Sequence, residues 1–347
     1  MKITLVQHKY AVPLGDPCCY PLGFMMVAAV LKQRKHIVKV LNYNLWDYDL
    51  REELKGQDVA MFTGFEEFKP RIIADARIAR EMGIKTILGG ALATFSPEAM
   101  SPYVDVLWPG EFDDGTLRPD YDAFGIAEYF RRGNRHIGVL TSRGCPFSCT
   151  FCAQTCNFSF RGLDTVFAEI EAYKQSYGAE MIIFNDNTLN IKKGRWMDLC
   201  AGMRMPWAAA IRTDCMDDEM MRAAKQSGAS YFVIGVESFK QDKLDRMNKR
   251  TTVDQIYRTL DLCHKHGIKY HGNILLGLNG ETYDEIMQEL ASLPAGYNVF
   301  PALVQPFVGT KEGTSRAITV EQRDGLQMMF RDFVESAGMY TYPELGG

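Results

Sequence analysis

Apolar positions along the first hundred residues alternate between two periods. Short apolar runs at Lys2–Val6, Ile37–Leu41, Asp58–Phe62, Lys85–Leu88 and Val104–Trp108 read as buried strands. Between them, Pro21–Lys35 sets Leu22, Met25, Met26, Ala29 and Val30 at helical spacing, and Pro70–Met82 predicts a helix closed by Gly83. Strands interleaved with helices predict a doubly wound parallel sheet, with its ligand outside the carboxyl ends of the strands. From about Gly115 to Arg135 the pattern loosens around Pro119 and reads as a linker with a short helix near Ile126–Phe130. A second series then begins. Strands are expected at His136–Thr141, Glu180–Asn185, Trp207–Arg212, Ser230–Val236, Lys269–Leu276 and Tyr297–Val304. Helices are expected at Leu163–Ser176, Lys193–Met203, Asp217–Gln226, Thr252–His266 and Glu281–Ser292, with Gly228 and Gly267 at helix ends. Six such units predict a partial (β/α)6 TIM barrel, and Val320–Ser336 a closing helix. The expected domains are 1–118, a linker at 119–135, a barrel at 136–315 and a helical segment at 316–347.

Composition narrows the function classes. A chain of 347 residues suits two domains, and 46% hydrophobic with 12% aromatic residues excludes a disordered protein. The balance of 39 basic against 43 acidic residues gives −4, and without a long basic block this argues against general nucleic-acid binding. The chain opens on a strand-like segment, not a signal peptide, and no run of about 18 apolar residues occurs, so a cytoplasmic, reducing setting with no membrane anchor is expected. There the nine cysteines are ligands, reactive thiols or small core residues, not a disulfide framework.

Three of them form one constellation. Gly144-Cys145-Pro146-Phe147-Ser148-Cys149-Thr150-Phe151-Cys152 has the spacing C-x-x-x-C-x-x-C, directly after the first strand of the second series. Three thiolates on one loop can hold three corners of a cubane cluster and leave one iron open, whereas closed clusters use four cysteines. A zinc site with Cys156 as fourth ligand, or three unrelated buried cysteines, are the alternatives.

This loop resembles the cluster motif of radical S-adenosylmethionine (SAM) enzymes, with Phe151 at the aromatic position before the last cysteine. The resemblance implies a 4Fe-4S cluster on Cys145, Cys149 and Cys152, with SAM chelated to the open iron and cleaved reductively to a 5′-deoxyadenosyl radical. It extends over residues 136–315. Asn185 and Asp186 stand where similar members bind the methionine amino group, although Asn185 departs from the usual pattern. Arg212 stands at a site-facing position. Glu237 and Ser238 are similar to a segment touching the ribose and carboxylate of SAM, Gly277 belongs to a segment resembling the adenine platform, and Gln305 to the last site-forming loop. Bland alternatives stay open: an Arg212–Glu237 ion pair, a helix cap by Asp186, and a plain turn at Gly277 and Gly280.

The amino-terminal part resembles the cobalamin-binding domain of one branch of these enzymes. Tyr20 opening a helix, Gly89 and Gly90 after the fourth strand, and Glu111 after the fifth carry the likeness, with His8, Tyr10, Cys18, Cys19, Glu66 and Glu67 on neighbouring loops. Such a domain can also be retained without a corrinoid. Cys200, Cys215 and Cys263 look incidental, and His264 and His266 lie at a helix end. The resemblance therefore implies a radical SAM enzyme, with cobalamin-dependent methylation of an unactivated carbon leading. Rearrangement, cyclisation or dehydrogenation, or a non-catalytic iron–sulfur electron-transfer role, are the alternatives. Flavodoxin or ferredoxin is the expected reductant.

Overall fold

The computed structural model describes residues 1–9, 20–110, 118–133, 135–153, 157–304, 310 and 317–336. The chain divides into two compact units, the first running to Arg135 and the second beginning at His136.

In the first unit, β1 (Lys2–Gln7), α1 (Leu22–Gln33), β2 (Ile37–Asn42), α2 (Leu50–Glu53), β3 (Val59–Thr63), α3 (Lys69–Glu81), β4 (Lys85–Gly89), α4 (Gly90–Phe95), α5 (Pro97–Met100), β5 (Val106–Trp108) and α6 (Ile126–Arg131) follow in order. The strands form one parallel sheet in the order β2-β1-β3-β4-β5. The order reverses between β1 and β3, where doubly wound sheets open a ligand crevice. Helix α3 shows why the pattern is readable. Pro70 sits in its first turn, Ile72, Ala76 and Ala79 recur on one buried face, and Gly83 follows its end at φ +74°. That face packs with Phe68 on Val6, Leu41, Ala60, Phe62 and Leu88 of the strands.

Of the segment 119–135, expected as a linker, the stretch 119–133 is packed into this unit. Tyr121 and Phe124 are fully buried, with Ile126, Tyr129 and Phe130 nearly so, and Asn42 Nδ2 donates to Phe124 O (3.0 Å) and Tyr129 Oη (3.2 Å). Aromatic burial outweighs the glycines and charges that suggested an open connection.

The second unit runs β6 (His136–Val139), β7 (Ser142–Arg143), β8 (Ser159–Phe160), α7 (Leu163–Tyr177), β9 (Met181–Phe184), α8 (Lys193–Gly202), β10 (Trp207–Arg212), α9 (Asp218–Gln226), β11 (Ala229–Glu237), α10 (Gln241–Arg246), α11 (Val253–His266), β12 (Lys269–Leu276), α12 (Tyr283–Ala291), β13 (Val299–Leu303) and α13 (Val320–Ser336). Six strands form a parallel sheet in the order β6-β9-β10-β11-β12-β13, so each βα unit adds the next strand, as in a barrel left open between β6 and β13. Strands β7 and β8 pair as a small antiparallel ribbon. Trp196 of α8, Trp207 of β10, Phe184 and Phe232 interlock with ring centroids 5.6–6.0 Å apart. Helices α11 and α12 start in capping boxes, Thr252 with Gln255 and Thr282 with Glu285, and Gly267 ends α11 at φ +63°. Among the described residues, no helix is long and apolar enough to cross a membrane.

Candidate active site

Every site-bearing loop of the second unit leaves the carboxyl end of a strand, the end where barrel enzymes place their chemistry. The cysteine loop follows β6. Gly144 turns it at φ +62°; Cys145 and Cys149 are half-buried, and Cys152 reaches the surface. Cys152 N–H donates to Cys149 O at 3.2 Å. The loop between α10 and α11 grips it from outside. Thr150 N–H donates to Met247 O (2.9 Å), and Asn248 Nδ2 donates to both Ser148 O and Ser148 Oγ (2.9 Å). Asn248 and Arg250 adopt left-handed φ values of +51° and +58°, which side chains other than glycine rarely adopt.

Although Cys152 reaches the surface, partial desolvation of its sulfur, with Cys149 and Cys145 adding to the rise, raises its thiol to about 11. Among the described residues, no three His, Cys, Asp or Glu side chains gather tightly enough for a single metal ion. Cys156, the alternative zinc ligand, lies outside the described residues. Cys145 Sγ stands 3.8 Å from Thr188 Oγ1, whose hydroxyl donates to Asn187 O at 2.6 Å.

Arg212 ends β10 and is only 4% exposed. Its backbone is pinned by Asn190, which accepts from Arg212 N–H (2.9 Å) and donates to Arg212 O (2.8 Å). Nε and Nη2 hold Asp214 at 2.9 and 3.0 Å, Nη2 also donates to Lys249 O (2.5 Å) and Thr251 Oγ1 (3.4 Å), and Nη1 donates to Cys149 Sγ (3.6 Å). The guanidinium carbon lies 3.8 Å from the Phe147 ring centroid. The Arg212–Glu237 pair left open by the sequence does not form. Glu237 pairs with Lys249 at 2.7 Å, and both are buried.

Glu237 sits at φ +66°, where the β11–β12 register shifts. Such a residue carries strain of about 1–3 kcal/mol unless its surroundings hold it; here Lys249 does, with its Nζ 5.9 Å from the Phe151 ring centroid. A Cβ on Gly235 would lie 2.7 Å from both Glu237 Oε1 and Lys249 Nζ.

Strand β9 is followed by two residues with opposite roles. The Asp186 carboxylate is buried and accepts from Thr141 N–H and Thr141 Oγ1 (2.9 Å each) and from Ser142 Oγ, bracing the root of the cysteine loop. It caps no helix. Burial raises its pKa, and those hydrogen bonds oppose the rise. Asn185 is different: its N–H donates to Val139 O (2.9 Å), while its side-chain Oδ1 is buried with no partner. A buried acceptor left unmet is the feature a ligand donor would satisfy.

Other expected residues are committed to the fold. Ser238 is fully buried, donates to Glu289 Oε1 (2.7 Å) and accepts from Lys240 N–H (3.1 Å). Gly277 turns at φ +77°, and Glu281 Oε2 accepts the N–H groups of Gly277 (2.7 Å) and Leu278 (3.0 Å), holding the turn after β12. Gln305 lies outside the described residues. His266 pairs with Asp218 and His264 with Tyr270 Oη, both at 2.9 Å, so the two histidines share no ligand.

In the first unit, Tyr20 packs edge-on against Tyr121 and Tyr129 and is 6% exposed, a core position. Gly89 ends β4, and Gly90 begins α4 at φ +74°, where a Cβ would meet Thr63 Oγ1 at 2.5 Å. Phe65 and Trp108 are 48% and 40% exposed at the carboxyl edge of the sheet. His8 Nε2 meets Asp75 Oδ2 at 2.9 Å. Tyr10, Cys18, Cys19 and Glu111 lie outside the described residues.

Sequence reasoning misses Lys249, Asp214, Asn190 and Phe147. Of these, Phe147 alone carries a signal that could flag it, its place inside the cysteine motif.

Comparison with known proteins agrees with this geometry. Residues 139–293 match the sequence model of the radical SAM superfamily. The chain is 24% identical over 363 residues to an uncharacterized methyltransferase of Pyrococcus horikoshii, covering 84% of this chain and 77% of the relative. It is 29% identical over 210 residues to bacteriochlorophyllide d C-12(1)-methyltransferase of Chlorobaculum tepidum, covering 55% of this chain and 45% of the relative, so it spans less than half of that protein. A solved structure of TsrM from Kitasatospora setae, a radical SAM methyltransferase with tryptophan and a SAM analogue bound, superposes with a TM-score of 0.67 at 15% identity, over 90% of this chain and 75% of that one. At 90% of this chain, that likeness takes in residues of both units. The superfamily match spans 155 residues, the barrel part of the chain and less than half of its 347.

Proposed function

We propose that this enzyme cleaves SAM reductively at a 4Fe-4S cluster held by Cys145, Cys149 and Cys152, and uses the radical for cobalamin-dependent methylation of an unactivated carbon. The observation that carries the first half is the placement of three cysteines on one braced loop after β6, with the unmet acceptor of Asn185 just after the neighbouring strand β9. When bound, the cluster supplies the single electron that opens the sulfonium. The chain's own residues do the rest. Asp186 and the 247–251 loop fix the cysteines, and Asn185 Oδ1 would accept from the SAM amino group.

The second half is supported by the methyltransferase names of the relatives and by the first unit's sheet edge. The switch point between β1 and β3, the side-chain-free Gly89 and Gly90, and the exposed Phe65 and Trp108 fit a broad planar ligand. Tyr20, buried in the core, does not fit such a contact. A corrinoid there, when bound, supplies a transferable methyl group.

The test is anaerobic reconstitution of the full chain with iron, sulfide and hydroxocobalamin. The wild type is expected to hold about four irons and roughly one cobalt, and to release 5′-deoxyadenosine from SAM under reduction; Cys149→Ala is expected to lose the iron chromophore and the release together. An iron-loaded wild type that leaves SAM intact would overturn the radical reading, and one that cleaves SAM but takes up no cobalt would overturn the methylation reading.

A further inference from the structure

We propose that Arg212 acts on the cluster and not on SAM: it is a positioning residue that donates to the sulfur of Cys149 and raises the tendency of the cluster to accept an electron. The inference rests on the cluster assignment above. A guanidinium has five N–H donors. Here one goes to Asp214 from Nε, those on Nη2 go to Asp214, Lys249 O and Thr251, and one on Nη1 goes to Cys149 Sγ. That leaves one Nη1 hydrogen, too little for the two-pronged clamp by which arginine holds a carboxylate. The Phe147 ring covers the guanidinium plane at 3.8 Å, and the side chain is nearly sealed from solvent. Arg212 is therefore committed to the protein in all but one of its N–H groups before any ligand arrives.

What it does face is a cluster sulfur. Hydrogen bonds to cluster sulfurs and net local charge set reduction potential. A donor carrying positive charge stabilises the more negative, reduced state. Asp214 offsets part of that charge through a two-point contact, so Arg212 and Asp214 act on the potential with opposite signs. Through Phe147 and Lys249 O, Arg212 also ties the cysteine loop to the loop that grips it.

The experiment compares anaerobically reconstituted wild type, Arg212→Gln, Arg212→Lys and Asp214→Asn. Iron per chain, the midpoint potential by EPR-monitored titration without SAM, and SAM affinity by equilibrium dialysis with the oxidised cluster are measured. At a fixed potential, Arg212→Gln is expected to raise the oxidised-to-reduced ratio about tenfold, a shift of about 59 mV downward for one electron. Arg212→Lys, which keeps charge but loses the fork, should fall between, and Asp214→Asn should move the ratio the opposite way. SAM affinity should stay within about twofold in all three. Midpoints that coincide with wild type while SAM affinity falls tenfold in either Arg212 variant would overturn the proposal. If Arg212→Gln does not take up iron, Arg212→Lys and Asp214→Asn decide by the sign of their shifts. A wild type without a cluster overturns the underlying cluster assignment instead, which the iron count reports separately.

Discussion

Substituting Gly235 by alanine inserts one methyl group into the buried Lys249–Glu237 pair. The backbone there is not left-handed, so alanine meets no conformational penalty, and the effect is steric alone. The new Cβ would stand 2.7 Å from both Glu237 Oε1 and Lys249 Nζ, against an ordinary contact of 3.4 Å or more, so each must yield by about 0.7 Å. The two groups are themselves 2.7 Å apart and both are buried, so neither can swing into solvent. Overpacking of this kind costs about 1–3 kcal/mol, toward the upper end when it stretches a buried ion pair. For a unit of this size that lowers Tm by about 2–12 °C. Thermal unfolding followed by circular dichroism under reducing, anaerobic conditions measures it. The mechanism also makes a coupling prediction: Glu237→Asp retracts the carboxylate by one methylene, so the cost of Gly235→Ala should shrink in that background. A Gly235→Ala chain that melts within about 1 °C of wild type, or a cost that is unchanged in the Glu237→Asp background, would refute the steric account.

Two further expectations separate stability from binding. Asn185→Ala removes a buried acceptor that has no partner, so Tm should hold or rise, while the SAM dissociation constant should increase about tenfold, equivalent to about 1.4 kcal/mol. A lower Tm with unchanged SAM affinity would make Asn185 structural. Burial raises the Cys200 thiol to about 11 and the Cys263 thiol to about 12, so at pH 8 only roughly one in 10³ and one in 10⁴ is thiolate. Both should resist iodoacetamide in the native chain and label fully in denaturant, with native labelling rising as pH rises; rapid native labelling of Cys263 at pH 8, followed by peptide mass mapping, would contradict its burial.

Much of the architecture is legible because its signals are local. Trp207–Arg212 and Lys269–Leu276 are read to the residue, the first as a bounded apolar run and the second as a strand whose alternate residues are buried. Helices α4 and α5 escape the sequence reading because they are only six and four residues long and begin at a glycine, Gly90, and a proline, Pro97. Residues 119–135 mislead because the burial of Tyr121 and Phe124 depends on partners far away in the chain. The same divide runs through the site. The three cysteines share one loop and announce themselves. The partner of Glu237 is twelve positions away across a bulge, and the contact of Arg212 with Cys149 joins two loops 63 positions apart, so neither leaves a trace in spacing. Asp186 and Asn185 are neighbours with similar side chains, and only the fold shows that one is a brace and the other has an open acceptor.

The grip on the cysteine loop has a consequence for the order of assembly. Ordering a backbone residue costs about 1–2 kcal/mol, so the five residues 147–151 represent about 5–10 kcal/mol of conformational entropy. In small metal-dependent domains that cost falls on the metal, and the apo chain stays unfolded. Here Thr150, Ser148, Cys149 and Phe147 are all held by protein groups from the 247–251 loop and from Arg212. That entropy is surrendered when the polypeptide folds, so under the proposed cluster assignment the loop would be ordered before the cluster arrives and would stay ordered after its removal.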